Sequence, residues 1–234
     1  LASGQEVEGW RRAIEAGADA CLSLPVAIVD LLGKVDVLLR AYHRYDEWVD
    51  MEGVLLALAA AVDTKDSWER GHLERVVNYA LRLGYAVGLD ARQLADLRRG
   101  AILHDMGKLG IPDIILNKVG PLSESDWQYI RLHPLIGERI CLPLGQNRTV
   151  MEVVRYHHER FDGRGYPHGL AGKEIPLVGR IGALADAYDA LTSERPYRVK
   201  LSPQQAQDVL RSEAGKQFDP ELVALFIRLV QEGK

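Results

Sequence analysis

The sequence predicts an all-α fold: a bundle of amphipathic helices, with a short α-β-α segment at its N-terminal end. Three observations carry this. Apolar residues recur at helical spacing, as in "FDPELVALFIRLV". Helix-start residues stand before such runs, and Gly/Pro-punctuated stretches such as "GKLGIPD", "NKVGPLS" and "DGRGYPHGLAGKEIPLVG" separate them. With 47% apolar and 26% charged residues the chain can bury a core and is not of the disordered class. A net charge of −4 provides no global basic field for a nucleic acid polymer or an anionic membrane surface. No apolar run reaches the roughly 18 residues of a membrane span, and no signal peptide is visible. "GVLLALAAAV" at 53–62 is too short and is flanked by charge. Cys21 and Cys141 cannot build a disulfide framework and suit a reducing, cytoplasmic compartment. The chain opens at Leu1 rather than methionine, so the natural N-terminus is expected upstream.

In chain order, residues 1–40 read as a helix, a glycine-containing turn, the short strand "ACLSL", Pro25 and a second helix. This pattern resembles the C-terminal end of a response-regulator receiver domain, with Leu24 where that domain carries lysine. The run 35–62 is expected to be mostly helical, with 41–53 linking the N-terminal part to a domain over 54–234. "RQLADLRRGAILHDMGK" is amphipathic. "LSESDWQYIRLHPLIGERI" opens with Ser123 as N-cap and Asp126 three residues on, a variant capping box. "GRIGALADAYDALTS" is a further helix. Ser202–Pro203 and Asp219–Pro220 each place a cap before a proline at the first helical position, where its missing N–H costs nothing.

Five of the seven histidines sit in chemically distinctive settings: His72, His104, His133, His157 and His158. His43 and His168 have no acidic or histidine company in the sequence. In "LHDMGK", His104 and Asp105 are helical neighbours diverging by about 100°, so both reach one object only if it lies between them. A metal cluster against the helix meets that condition. Lys108 follows at i+4 and i+3 and projects from the same face, suited to the anion a metal attracts. Asp186 and Asp189 share a face in "ALADAYDAL". Imidazoles with carboxylates suit borderline first-row metals such as Fe, Mn, Co, Ni or Zn. Cysteine takes no part, which argues against a structural zinc site.

His72, His104–Asp105 and the distant Asp186 match the H…HD…D pattern of the HD phosphohydrolase superfamily. "HDMGKLGIPDIILNK", His133–Pro134, "HHERFDGRGYP" and "DAYDALTSERPYR" resemble the HD-GYP family, whose members are bacterial cyclic di-GMP phosphodiesterases often fused to receiver domains. The resemblance covers about 54–234 and implies an HD-type helical bundle. It implies two divalent metal ions, Fe or Mn, activating water for in-line attack on a phosphodiester. His72, His104, Asp105 and Asp186 would hold one, and Asp105 would bridge to a second completed by His133, His157 and His158. Lys108 would touch the scissile phosphate. Asp66, Gly165, Tyr166, Arg195 and Arg198 would contact substrate, and Asp189 would support the ligands from behind. Some members hold a third metal through a glutamate four residues before the first histidine. Trp68 stands there, with Glu69 one residue later, so a third ion is not expected. Arg164 departs from the small polar residue common in the "DGxGYP" segment.

The activity implied is opening of cyclic di-GMP to linear pGpG, with a second cut to GMP. A homodimer, and a sensor kinase or diguanylate cyclase as partner, fit such a signalling protein. Two alternatives stand beside it. One is an HD hydrolase of another cyclic dinucleotide such as cyclic GMP-AMP. The other is a non-catalytic cyclic-dinucleotide sensor or protein-interaction module.

Overall fold

A computed structural model describes residues 9–13, 21, 53–60, 62, 71–142, 147–194 and 200–232. The chain divides into two compact units, 1–53 and 54–234. In the first, residues 9–13 are helical and Cys21 lies in neither helix nor strand. The strand, proline turn and helix expected around Leu24 otherwise fall outside the described residues. Among the described residues no strand occurs; two isolated bridges, Asp162 with Ala171 and Ala214 with Phe218, are the only extended pairings.

The second unit is an all-helical bundle. Residues 54–60 and 62 are helical, and Leu55, Ala59 and Val62 pack against Leu73, Leu103, Cys141 and Val154. The following helices are α1 (His72–Ala86) and α2 (Ala91–Leu103), joined by a Schellman turn. In that turn Leu89 N–H donates to Gly84 O and Gly88 N–H to Tyr85 O, with Gly88 at φ 84°. Asp90 caps α2 in a reciprocal box with Gln93.

The helix expected through Lys108 stops earlier. His104 is the C-cap of α2, and a 3-10 turn, Met106–Gly110, carries the chain onward. A short α3 (Asp113–Leu116) then leads to α4 (Glu124–Ile130) and α5 (His133–Cys141). The sequence reads these last two as one run from Ser123. Pro134 explains the break: it lacks an N–H to bond back and disfavours helical geometry before it, so the helix restarts with proline in its first turn. The capping box of Ser123 and Asp126 is present at the start of α4.

The remaining helices are α6 (Arg148–Tyr156), α7 (Leu177–Thr192), α8 (Pro203–Glu213) and α9 (Pro220–Gln231). Ser202 and Asp219 cap α8 and α9 as their sequences predict. Helix α7 is the central element, burying Ile181, Leu184, Ala185 and Tyr188 against Leu83, Leu97, Val153, Leu210 and Phe226. Burying such side chains stabilises by about 1.5–3 kcal/mol each, which anchors α7 and therefore the carboxylates it carries. Among the described residues no helix is long and apolar enough to cross a membrane.

Candidate metal centre

Helix ends deliver the histidines. His72 is the first residue of α1 and His133 of α5, while His104 and His157 are the C-caps of α2 and α6. All four are buried. Because α6 ends at Tyr156, His157 and His158 escape helical divergence and their rings lie 4.2 Å apart between centroids.

Two groups of donors result. His72, His104 and Asp186 form one, and Asp105, His133, His157 and His158 the other, the donor atoms of each group lying within 4.8 Å of one another. Asp105 joins the groups. Its Oδ2 is 3.3 Å from His104 Nε2, and its Oδ1 is 3.3 Å from His133 Nε2 and 3.7 Å from His157 Nε2. Lys108 Nζ reaches the same Oδ2 at 2.8 Å. In the first group His72 Nε2 is 3.6 Å from Asp186 Oδ1.

The opposite ring nitrogens fix the tautomers. His104 Nδ1–H donates to Ala101 O (2.8 Å), His133 Nδ1–H to Ile130 O (2.7 Å) and His157 Nδ1–H to Val154 O (2.9 Å). His72 Nδ1–H donates to Asp189 Oδ2 at 2.7 Å, and Arg75 Nε holds the other oxygen of that carboxylate at 2.5 Å. A carbonyl or carboxylate only accepts, so each neutral imidazole carries its proton on Nδ1 and presents an Nε2 lone pair. The Nε2 atoms of His133 and His157 are 3.2 Å apart. Two lone pairs at that distance repel unless a cation or proton serves both. His104 Nε2, fully buried, makes no hydrogen bond. Four anchored imidazoles converging with two carboxylates are consistent with the donor set of a binuclear metal centre.

The electrostatics fit cation binding in two ways. Burial disfavours the charged form of His104, but the charges of Asp105 and Asp186 outweigh it and push that imidazole up to about 10. The first group therefore lies in strongly negative potential. Burial, followed by the neighbouring imidazoles, holds His158 well below its ordinary value, and burial also lowers His157. Those rings stay neutral, the form that ligates. Burial would raise Asp105, yet Lys108 and His104 keep it well below the usual carboxylate range, ionised and ready to bridge.

The segment Glu159–Leu170 covers one side. Buried Glu159 accepts from His168 N–H (2.7 Å) and Leu170 N–H (3.1 Å), pinning the loop over the histidines. Tyr166 then stacks on His158, with centroids 4.8 Å apart and planes at 24°. A Cβ on Gly165 would meet Arg160 N at 2.3 Å, so only glycine lets the loop fold this closely. The centre opens onto a cleft of about 700 Å³ bordered by His158, Tyr166, Asp186, Arg164, Trp127 and Arg131.

All seven residues named as metal ligands come together, with Lys108 on Asp105 and Gly165 and Tyr166 at the cleft. Asp66, Trp68, Glu69, Arg195 and Arg198 lie outside the described residues, as does His43. His168 stands apart from the donor groups, its backbone bound to Glu159. Sequence reasoning missed Gly107, Glu159, Trp127 and Arg131. Gly107 packs on the start of α5, where an added Cβ would lie 1.8 Å from His133 O. The spacing of Trp127 and Arg131 four residues apart on a helix was the available signal for that pair.

Comparison with known proteins agrees with this geometry. The HD domain family profile matches residues 57–222. The 3'3'-cGAMP-specific phosphodiesterase 3 of Vibrio cholerae is 37% identical over 174 residues, covering 74% of this chain and 38% of the relative. The cyclic di-GMP phosphodiesterase response regulator RpfG of Xanthomonas campestris pv. campestris is 39% identical over 177 residues, covering 74% and 47%. The crystal structure of the cyclic GMP-AMP-specific phosphodiesterase V-cGAP3 of V. cholerae superposes with a TM-score of 0.61 at 22% identity, covering 76% of this chain and 48% of that one. That likeness shows a shared all-helical fold. The chain thus spans less than half the length of the first curated relatives it matches. The family match begins at residue 57 and gives the receiver-like reading of 1–40 no support. By the length of that match, the chain belongs to the HD domain family, in the type found in HD-GYP phosphodiesterases.

Proposed function

We propose that residues 54–234 form a metal-dependent phosphodiesterase that opens cyclic di-GMP to linear pGpG, with a second cut to GMP. The observation that carries this reading is the pair of His/Asp groups joined through Asp105, a member of one group 3.3 Å from His104 of the other, with the Lys108 ammonium on that carboxylate. In this reading His72, His104, Asp105 and Asp186 would hold one divalent ion, and Asp105, His133, His157 and His158 would hold the second. Fe or Mn suits such donors, and a bound pair supplies Lewis-acid polarisation of phosphoryl oxygen and a water of lowered pKa. Lys108 neutralises charge that develops on a non-bridging oxygen. Tyr166, braced by His158, gives the substrate a flat wall. Arg195, Arg198 and Asp66 keep their substrate roles from the motif. Trp68 leaves the centre with two ions rather than three. A sensor kinase or diguanylate cyclase as partner, and pairing as a homodimer, belong to the same proposal.

Cyclic GMP-AMP is the second reading, favoured by the 37% identity to a relative of that specificity. One assay separates the readings. Purified protein with Mn²⁺, or with Fe²⁺ under anaerobic conditions, is given each cyclic dinucleotide, and linear products are resolved by chromatography. Cyclic di-GMP is expected to turn over faster, and His104→Ala and Asp105→Ala to reduce turnover to background. Tight binding with no turnover under either metal would sink the enzyme reading in favour of a sensor.

A further inference from the structure

One side of the cleft is built by residues that the reading above leaves unused. Trp127 and Arg131 border the same space as His158, Tyr166 and Asp186. Trp127 is 40% exposed, a large indole surface left open to solvent. The Arg131 guanidinium lies 5.9 Å from its ring centroid, within cation–π range. Arg131 pairs with Glu124 at 3.1 Å, but those side chains are 47% and 71% exposed. Such a surface pair contributes little and yields readily to another anion.

The helix that carries this pair is held at both ends, and at its C-terminal end it is tied to the metal centre. The Ser123–Asp126 capping box and Lys118 Nζ, 2.5 Å from Asp126, hold its start. At its end, Ile130 O accepts the Nδ1–H of His133 at 2.7 Å. Trp127 is therefore three residues and one hydrogen bond from a donor of the second group. Arg131 and Tyr166 border the same cleft, so both address one space.

We infer that Trp127 and Arg131 form a second subsite of the cleft, which takes the nucleotide remote from the scissile bond. Trp127 stacks its purine, and Arg131 takes its non-scissile phosphate. This rests on a cyclic dinucleotide being the substrate. Such a molecule carries two phosphates and two bases, and only one phosphate can lie at the metal centre. The other needs a cation, and its base needs a π surface, at a fixed distance along the cleft. Because every base has a π face, the subsite selects dinucleotides over small diesters without choosing guanine over adenine.

The test compares kcat/KM for cyclic di-GMP and cyclic GMP-AMP with that for bis(p-nitrophenyl) phosphate, a diester with no base and no second phosphate. Trp127→Ala is expected to lower the dinucleotide-to-small-diester ratio about tenfold or more, mainly through KM. Trp127→Phe should recover most of the ratio, and Arg131→Ala should lower it, with Arg131→Lys recovering part. Tryptophan fluorescence quenched by the dinucleotide in the wild type should lose its main component in Trp127→Phe, although Trp10, Trp48 and Trp68 remain. An unchanged ratio in Trp127→Ala would overturn the subsite. So would equal loss on both substrates with lost metal, since α4 would then act only through His133. Wild-type protein that cleaves the small diester but neither dinucleotide would overturn the substrate reading itself, and the subsite with it.

Discussion

Gly107 and Lys108 follow Asp105 closely in the chain, and each acts on the metal centre differently. An added Cβ on Gly107 would lie 1.8 Å from His133 O and 2.6 Å from Gly137 N, both backbone atoms that cannot swing aside. Gly107→Ala must therefore push α5 away and carry His133 with it. The expected cost is about 3 kcal/mol of stability, seen as a lower denaturation midpoint, together with fewer than two metal ions per chain by elemental analysis. A variant that matches wild type in both would show that this packing does not set the centre. Lys108→Met keeps the aliphatic stem but removes the ammonium 2.8 Å from Asp105 Oδ2. A drop of about 10²–10³ in kcat is expected, the size seen when one transition-state donor is lost, with both metal ions retained. His104, Asp105 and Lys108 were legible in the sequence because they are chain neighbours of telling chemistry. Gly107 was not, since its reason is a contact with a segment that periodicity cannot bring near.

At the level of elements, the site is made by helices ending rather than by helices running. Four histidines at N1 or C-cap positions turn their Nδ1 atoms to carbonyls of their own turn or to Asp189, which aims every Nε2 inward. Hydrophobic spacing identifies the faces of α2, α6 and α7 but is nearly blind to where a helix stops. That is why His104–Asp105 read as mid-helix and Ser123–Ile140 as one helix. The caps were readable where a side chain does the capping, at Ser123, Ser202 and Asp219, because that chemistry is local. Helix α4 illustrates the consequence. Its Asp126 carboxylate is pulled down to about 2, first by Lys118 and then by Ser123. The folded value lies below the unfolded one of about 3.9, so the stabilisation is complete above about pH 4. It disappears as pH falls through the folded value. NMR titration of the Asp126 side-chain carbon should give a midpoint near 2 in wild type, moving up toward 4 in Lys118→Met. An unshifted midpoint in the variant would remove Lys118 from the anchoring of α4.

The whole bundle brings donors from α1, the α2–α5 region, α6 and α7 to one point, a convergence that no single segment announces. The ordered motifs made the donor list legible. The side formed by Trp127 and Arg131 was not, because its meaning depends on α4 bordering the same cleft as Tyr166. The convergence has a thermodynamic consequence. Asp105 and Asp186 are held among converging Nε2 atoms in a preformed donor set that the unfolded chain lacks. Metal binding therefore favours the folded state by RT ln(1 + [M]/Kd), about 2.7 kcal/mol at a hundredfold excess over Kd. For a domain of this size that corresponds to a shift of about 5–10 °C in Tm. Chelation followed by dialysis should lower the Tm of wild type by this amount, and added Mn²⁺ should restore it. In Asp105→Ala, where the shared carboxylate is gone, most of the metal-dependent increment should vanish whatever the variant's own baseline. A wild-type Tm indifferent to chelation, with metal loss verified by elemental analysis, would mean that the donors bind no cation more tightly in the folded state, and the binuclear reading would fall.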